Sequence, residues 1–251
     1  MNRILFETDE IQDGIATFGG ERAEHVMNVL HGEVGQVLKT GEVNGKIGTG
    51  EIIECSNVRM FESGDDGFAI KVRCKHEEES LKPWVDLILA PPRPRVMKRL
   101  LPQLATMGVG RIFLVGAKKV EKDFWGATLL KSENYRPLLI DGLMQAGTSI
   151  LPTLETRRNF RKFVKEELDA LFPSSTRIIA HPSTSQTSQT SRTSRTSLLL
   201  AIGPEGGWTD EEVALLEEHG FARYSLGSRI LRTDTATIAL LAQLMKEFGK
   251  C

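Results

Sequence analysis

Leu198–Gly206 reads LLLAIGPEG, and Leu226–Thr237 reads LGSRILRTDTAT. Leu198 to Ile202 is an unbroken apolar run, the pattern of a strand buried on both faces of a parallel sheet. Gly203, Gly206 and Gly207 follow, with Pro204 and Glu205 between them. Glycines there permit left-handed backbone and let a ligand come close. Thr209-Asp210-Glu211-Glu212 then opens a helix as a capping box, Thr209 accepting from a backbone N–H and Glu212 reaching back. The helix runs through Val213 and Leu216 and stops at Gly220, with Phe221 placed to pack on its last turn. The second stretch repeats the plan. Arg223–Leu226 is a short strand, Gly227 a turn, Ser228–Arg232 a loop, and Thr233 or Asp234 caps a helix that reaches Phe248. Ala236, Ile238, Leu240, Leu241, Leu244, Met245 and Phe248 make that helix apolar on most sides, so it is expected to be buried or to form a subunit interface. Two strand–turn–helix units, each with free N–H groups at a helix start, predict one shared pocket for a polar or anionic ligand.

The paired motifs, Ile202-Gly203-Pro204-Glu205-Gly206-Gly207 and Leu226-Gly227-x-Arg229-Ile230-Leu231-Arg232-Thr233-x-Thr235-Ala236, resemble the signature of the small-subunit ribosomal RNA uridine-N3 methyltransferases. That family belongs to the SPOUT class of S-adenosylmethionine enzymes. The resemblance covers most of the chain, strongly after residue 198 and weakly before it. It implies an α/β chain whose C-terminal SPOUT-type parallel sheet carries a trefoil knot, preceded by a small PUA-like β-barrel. The knot is an implication of the resemblance alone, since protein connections are ordinarily unknotted.

The resemblance also implies what binds where. S-adenosyl-L-methionine would lie on His181, Pro182, Ile202, Gly203, Pro204, Glu205, Gly206, Leu226, Gly227, Ser228, Ile230, Leu231 and Thr235. Arg232 and Glu205 would be catalytic. RNA would meet Arg3, Arg22, His25, Arg93 and Arg95. The partner would be 16S rRNA or the small ribosomal subunit, and the enzyme a cytoplasmic homodimer through its SPOUT domain. Methylating N3 requires loss of the N3 proton, so a cation such as Arg232 would stabilise the uridinate. Glu205 would orient the cofactor or take the proton.

Bulk properties are compatible with this. The chain has 251 residues, 40% hydrophobic and 26% charged, room for two domains of ordinary composition. No apolar run approaches the ~20 residues of a membrane span. The opening residues are too acidic for a signal or transit peptide. Cys55, Cys74 and Cys251 are odd in number and widely spaced, which points to a reducing compartment and away from a disulfide framework or a zinc site. Net charge is −1. Phosphate binding wants Lys and Arg, so a local basic face must supply it.

In chain order, residues 1–78 read as a small β-barrel with one helix. Asn44-Gly45 sits between two strand-like stretches, 35–40 and 46–53, a strong hairpin signal. Phe68–Cys74 alternates in period two. A helix over Glu21–Leu30 would place Val26, Val29 and Leu30 on one face. A lone histidine such as His25 on a helix is more often structural than functional. The charged stretch His76–Pro83 is a linker, which puts a second domain at 82–251.

That second domain alternates strands with helices, the pattern of a parallel sheet covered on both faces. Strands are expected at Val85–Ala90, Arg111–Val115, near Thr153 and at Arg177–Ala180. Helices are expected from Pro94, from Ser132 and over Phe160–Leu171. Pro102 and Pro137 fall inside helical patterns and predict kinks or later helix starts. Residues 183–197 are nearly pure Ser, Thr and Gln with Arg192 and Arg195, so they predict a solvated, disordered polar loop. Basic clusters stand at Arg93, Arg95, Lys98 and Arg99, at Lys118, Lys119 and Lys122, and at Arg157, Arg158, Arg161 and Lys162. Each is more often a solvated helix face than a phosphate track. The first follows a strand end and is the best placed to touch RNA.

The chain departs from the family pattern at named positions. His31 stands where Arg is usual, Leu104 and Met107 where Lys and Glu are, and Met144 and Thr148 where Glu and Arg are. Those absent charges motivate a second reading, a catalytically inactive SPOUT-fold protein that binds RNA in ribosome assembly. Cofactor titration separates the two. Gly41–Ile47 superficially resembles a phosphate-binding Walker loop, but it is one residue short and has a hairpin where a helix should begin. No G-x-G-x-x-G follows an early strand, which argues against a nicotinamide enzyme.

Overall fold

The computed structural model describes residues 2–59, 66–182 and 197–249. Residues 183–196, with Arg192 and Arg195, and Cys251 lie outside the described residues. The chain divides into two compact units, one of residues 1–81 with 143–151, the other of 82–142 with 152–251. The segment Leu143–Leu151 groups with the N-terminal unit although the linker lies far upstream of it.

The N-terminal unit holds β1 (Ile4–Phe6), β2 (Ile11–Gln12), β3 (Ile15–Phe18), α1 (Gly20–Glu24), β4 (Val37–Glu42), β5 (Ile47–Arg59) and β6 (Asp66–Glu78). They form one mixed sheet in the order β1-β4-β5-β6-β3-β2. Only β1 and β4 run parallel. The hairpin expected at Asn44-Gly45 is present: Gly41 pairs with Ile47, and Asn44 adopts φ 61°. Ile4, Phe6, Phe18, Val26, Leu38, Ile52, Ile70 and Val72 pack as its core.

Segment 143–151 is held to this unit by polar contacts. The N–H groups of Asn2 and Arg3 donate to Met144 O, both at 3.1 Å. Ser149 N donates to Ser80 Oγ at 2.9 Å, and Leu151 N to Asn44 Oδ1 at 2.8 Å.

The helix expected over Glu21–Leu30 is corrected. After five residues α1 gives way to a π-type turn, His25–Val29, closed by Leu30 N to His25 O at 3.2 Å. The wider turn rotates later residues off the buried face. Val26 is therefore buried, while Val29 and Leu30 are exposed.

The second unit holds β7 (Val85–Leu89), α2 (Pro94–Thr106), β8 (Val109–Val115), α3 (Ser132–Ala146), β9 (Thr153–Arg157), α4 (Phe160–Glu166), α5 (Leu168–Leu171), β10 (Thr176–Ala180), β11 (Leu198–Ile202), α6 (Asp210–Glu218), β12 (Ala222–Tyr224) and α7 (Thr233–Phe248). The last turn of α3 belongs with the first unit. The sheet order is β12-β10-β11-β7-β8-β9, parallel throughout. β11 is buried at every position, as its apolar run requires.

Helices cover both faces. Ile88, Phe113, Ile179, Leu199 and Ala201 pack against Phe160, Phe163 and Leu168 of α4–α5 and Val213 and Leu216 of α6. On the other face α2 lies on β8, and α7 lies on β11 and α2. Phe160–Leu171, expected as one helix, is broken between Glu166 and Leu168. Pro102 and Pro137 sit inside helices that begin at Pro94 and Ser132, so neither delays a helix start. Gly142 lets α3 press on α2: a Cβ there would stand 2.1 Å from the Pro102 carbonyl oxygen. Thr106 Oγ1 donates to both Pro102 O and Gly142 O.

Candidate functional site

All six strands of the second unit point the same way, so their carboxyl ends and following loops share one edge. Ligands of open parallel sheets settle at that edge, where the strand order reverses direction. Here β11 is inserted between β10 and the earlier β7, and a cavity of about 460 Å3 opens beyond β10, β11 and β12.

Its first wall is the turn after β11. Gly203 packs closely on the Trp208 indole: a Cβ on it would stand 3.0 Å from the ring, a tight contact. Trp208 is buried, stacked near Phe160 with centroids 5.2 Å apart. The turn passes to α6 through the expected capping box, Thr209 and Glu212 each closing on the other's backbone. Glu212 also accepts from Lys118 N at 2.7 Å, and Lys119 Nζ donates to Gly206 O at 2.7 Å. The loop after β8 thus braces the glycine-rich turn. At its far end α6 closes as predicted, with Gly220 at φ +81° and Phe221 N bonded to Leu216 O.

The second wall is the segment from Tyr224 to Leu231. Gly227 holds φ +105°, a left-handed value that favours glycine. Ser225 Oγ accepts from Gly227 N at 3.2 Å and shapes the bend. α7 then begins at Thr233 with Arg232 as its N-cap; no side chain caps it, contrary to the expectation for Thr233 or Asp234. Asp234 instead turns to Arg99 Nη2 at 3.1 Å and to Thr235 N. Ala236 and Leu240 floor the cavity, and the helix start presents its positive dipole end there.

Most residues expected at the cofactor site line this one cavity: His181, Pro182, Ile202, Gly203, Pro204, Glu205, Gly206, Leu226, Gly227, Ile230 and Leu231. Ser228 and Thr235 do not line it, and neither does Arg232, whose side chain stands exposed at its edge. Ala180, Gly207, Trp208, Tyr224, Ser225, Arg229, Thr233, Ala236 and Leu240 also line it, beyond the residues expected to hold the cofactor. Among the described lining residues, Glu205 is the one carboxylate and Arg229 the one arginine. Within two of the lining residues, His181 Nδ1 and Trp208 Nε1 are buried with no hydrogen-bond partner among the described residues.

The expected RNA contacts divide. Arg3 is committed inside the first unit: Nε donates to Gly147 O, and Nη1 to Thr40 O and Gly48 O at 2.6 and 2.9 Å. Arg22 pairs with Glu10, donates to Leu5 O at 2.8 Å and lies over Phe6 and Phe18. Both arginines satisfy carbonyls and carboxylates where phosphate contacts were expected. His25 opens the π-type turn with a buried, unpaired Nε2. Arg93 and Arg95 are exposed at the start of α2; Arg93 Nε stands 3.2 Å from Glu121 and 4.0 Å from Glu205. No group of His, Cys, Asp and Glu among the described residues could hold a metal ion.

A family model described as an RNA methyltransferase domain matches residues 78–245. The chain is 30% identical to ribosomal RNA small subunit methyltransferase E of Treponema pallidum over 249 residues, covering 98% of this chain and 91% of that protein. It is 28% identical to ribosomal RNA small subunit methyltransferase E 1 of Borreliella burgdorferi, covering 95% of each. A Legionella pneumophila protein solved in complex with the bound cofactor SAM superposes with a TM-score of 0.71 at 26% identity, covering 98% of this chain and 97% of the other.

Proposed function

This chain belongs to the RNA methyltransferase family that includes ribosomal RNA small subunit methyltransferase E, and we propose that it methylates N3 of a uridine in small-subunit rRNA with S-adenosylmethionine as donor. The observation that carries the proposal is the single cavity built by the two sequence motifs together. Its volume and largely apolar walls suit a cofactor of that size. Bound there, S-adenosylmethionine supplies an electrophilic methyl group.

The chain's residues supply the rest. The target base leaves its stack to bring N3 to the cavity mouth. Glu205, half-exposed at that mouth, accepts the N3 proton as the N–CH3 bond forms. Arg232, at the rim and without a partner among the described residues, offsets the charge that develops on the uracil ring. We also propose the trefoil threading, the PUA-like character of the N-terminal unit, and a homodimer through the second unit. The insertion of β11 between earlier strands and the return of α7 across β11 to α2 favour the threading.

Mapping methylated nucleotides by mass in small-subunit rRNA from cells with and without this protein tests the reading. One N3-methyluridine should vanish in the deletion and return with the wild-type gene. An unchanged map, with no heat on titrating the purified protein with S-adenosylmethionine, would leave the inactive assembly factor as the better account.

A further inference from the structure

The sheet order sets three more loops in a row beside the cavity. Past β11 come the carboxyl ends of β7, β8 and β9, about 14 Å in all at ~4.8 Å per strand. Arg93 and Arg95 follow β7, Lys118 to Trp125 follow β8, and Arg158 and Arg161 follow β9. A small cleft lined by Pro91, Arg93, Lys119, Phe124, Pro204 and Glu205 adjoins the cavity, sharing Pro204 and Glu205 with it.

At the outer end of the row stands Trp125, half-buried on a short 3-10 turn, Lys122–Gly126. Arg158 lies over its ring, 5.7 Å from the centroid, and donates to its carbonyl oxygen at 3.2 Å. Phe124 meets the ring edge-on at 84°. The indole is therefore held at a fixed angle by a cation and a buried aromatic. Lys118 and Lys122 are exposed nearby without partners among the described residues. The acids in the row are partly taken up, Glu121 by Arg93 and Glu211 by Arg161, while Asp123 stays open. A rigid aromatic face among free cations is the chemistry that receives a single-stranded nucleic acid: bases stack on the ring, and phosphates meet the lysines and arginines.

Building on the rRNA reading above, we propose that Trp125, braced by Arg158, is a stacking platform for a base a few nucleotides from the target uridine. Lys118 and Lys122 hold the intervening phosphates, so the strand runs from the cavity mouth across the ends of β7, β8 and β9. The platform fixes the register of the strand and has no part in the methyl transfer itself.

The test uses the full chain, small ribosomal subunits from cells lacking the gene, and a single-stranded oligouridylate. Trp125→Ala should raise KM for the subunits about tenfold, leaving kcat and the S-adenosylmethionine Kd in place. Trp125→Phe should restore KM to within about threefold, since phenylalanine also stacks. Oligouridylate should quench tryptophan fluorescence in the wild type and not in Trp125→Phe. Lys122→Ala should lower the slope of log K against log salt by about 0.7 for a single strand. Should Trp125→Ala unfold, Arg158→Gln and Lys122→Ala remain as surface changes that must weaken subunit binding. Wild-type KM in all these variants, with no quenching by oligouridylate, overturns the platform while methyl transfer stands. Conversely, quenching without any methyl incorporation by the wild type would sink the proposed reaction and keep the platform.

Discussion

The two ends of the parallel sheet differ in how many charged side chains they leave free, although Arg93, Arg99 and Arg161 at the carboxyl end are paired. At the amino end Arg111 and Arg177 are both fully engaged. Asp86 accepts from Arg111 N, Nε and Nη2 at 2.9, 3.1 and 2.7 Å, and the guanidinium lies 4.4 Å from the Phe172 ring centroid. Arg177 binds Asp169, the His219 carbonyl and the Phe172 carbonyl. At the carboxyl end Arg95, Lys118, Lys122, Arg229 and Arg232 have no partner among the described residues, and Ile230 is almost fully exposed. Paired charges tie strands and helices together; unpaired charges beside a cavity remain free for a ligand. The difference teaches where to look for stability and where to look for chemistry, and mutations at the two ends should separate cleanly.

The largest effect belongs to the carboxyl end. Arg232→Ala should lower kcat by about 100- to 1,000-fold, the loss typical of removing one charge-stabilising group. The helix start should survive, because Arg232 contributes its carbonyl oxygen to Ala236 N at 2.8 Å and not its side chain. The cofactor Kd and the melting temperature should therefore hold. Single-turnover kinetics with calorimetry checks this. If Arg229→Ala costs the larger factor, the role passes to the arginine that lines the cavity.

The next effect belongs to the amino end. Asp86 is mostly buried, and removing it strands three donors of Arg111. Asp86→Ala should cost about 2–3 kcal/mol in urea unfolding while folded enzyme keeps its kcat. Loss of kcat in the folded variant would break the separation of the two ends. Smaller still is Thr209→Ala, which deletes the cap of α6 at the carboxyl end. It should cost about 1 kcal/mol. It should also loosen cofactor binding slightly, since Glu212, which accepts from Lys118 N in the loop after β8, would lose a bond from Thr209 Oγ1 that helps fix its carboxylate.

The two ends were unequally legible in the sequence. β11, the capping box at Thr209 and the Gly220 terminus follow from local patterns, because run length, spacing and glycine placement report directly on backbone geometry. The meeting of the two motifs came from their resemblance and their repeated plan. The place of Trp208, Tyr224 and Leu240 in the cavity is not legible in the sequence, because it is set by packing between elements distant along the chain. The one local clue was Trp208 standing just before a helix cap, a position where hydrophobic residues fold back onto the chain. Arg3 and Arg22 show a related limit of local patterns: in sequence, an arginine engaged by carbonyls looks like one with its guanidinium free. The π-type turn after α1 has no periodic signature, and segment 143–151 joins the first unit through single hydrogen bonds that no periodicity announces.

The smallest expected effect is a pH dependence confined to the amino end. The hydrogen bond from Arg177 holds the Asp169 carboxyl below the usual aspartate range, aided by His219 Nδ1 at 2.8 Å and opposed by desolvation. A depressed folded-state value stabilises the fold above the unfolded-state pKa, and the gain is lost as pH falls through the folded-state one. Asp169 is 62% exposed, so screening should keep its contribution under about 1 kcal/mol. The stability gap between wild type and Asp169→Asn should therefore be flat from neutral pH down to about pH 4 and close below it. Urea unfolding of both proteins across that range measures the gap. Because this cluster lies at the amino end of the sheet, Asp169→Asn should leave the pH profile of methyl transfer unmoved. A shifted profile would mean that the two ends are coupled through β10, which carries Arg177 near one edge and leads into His181 at the other.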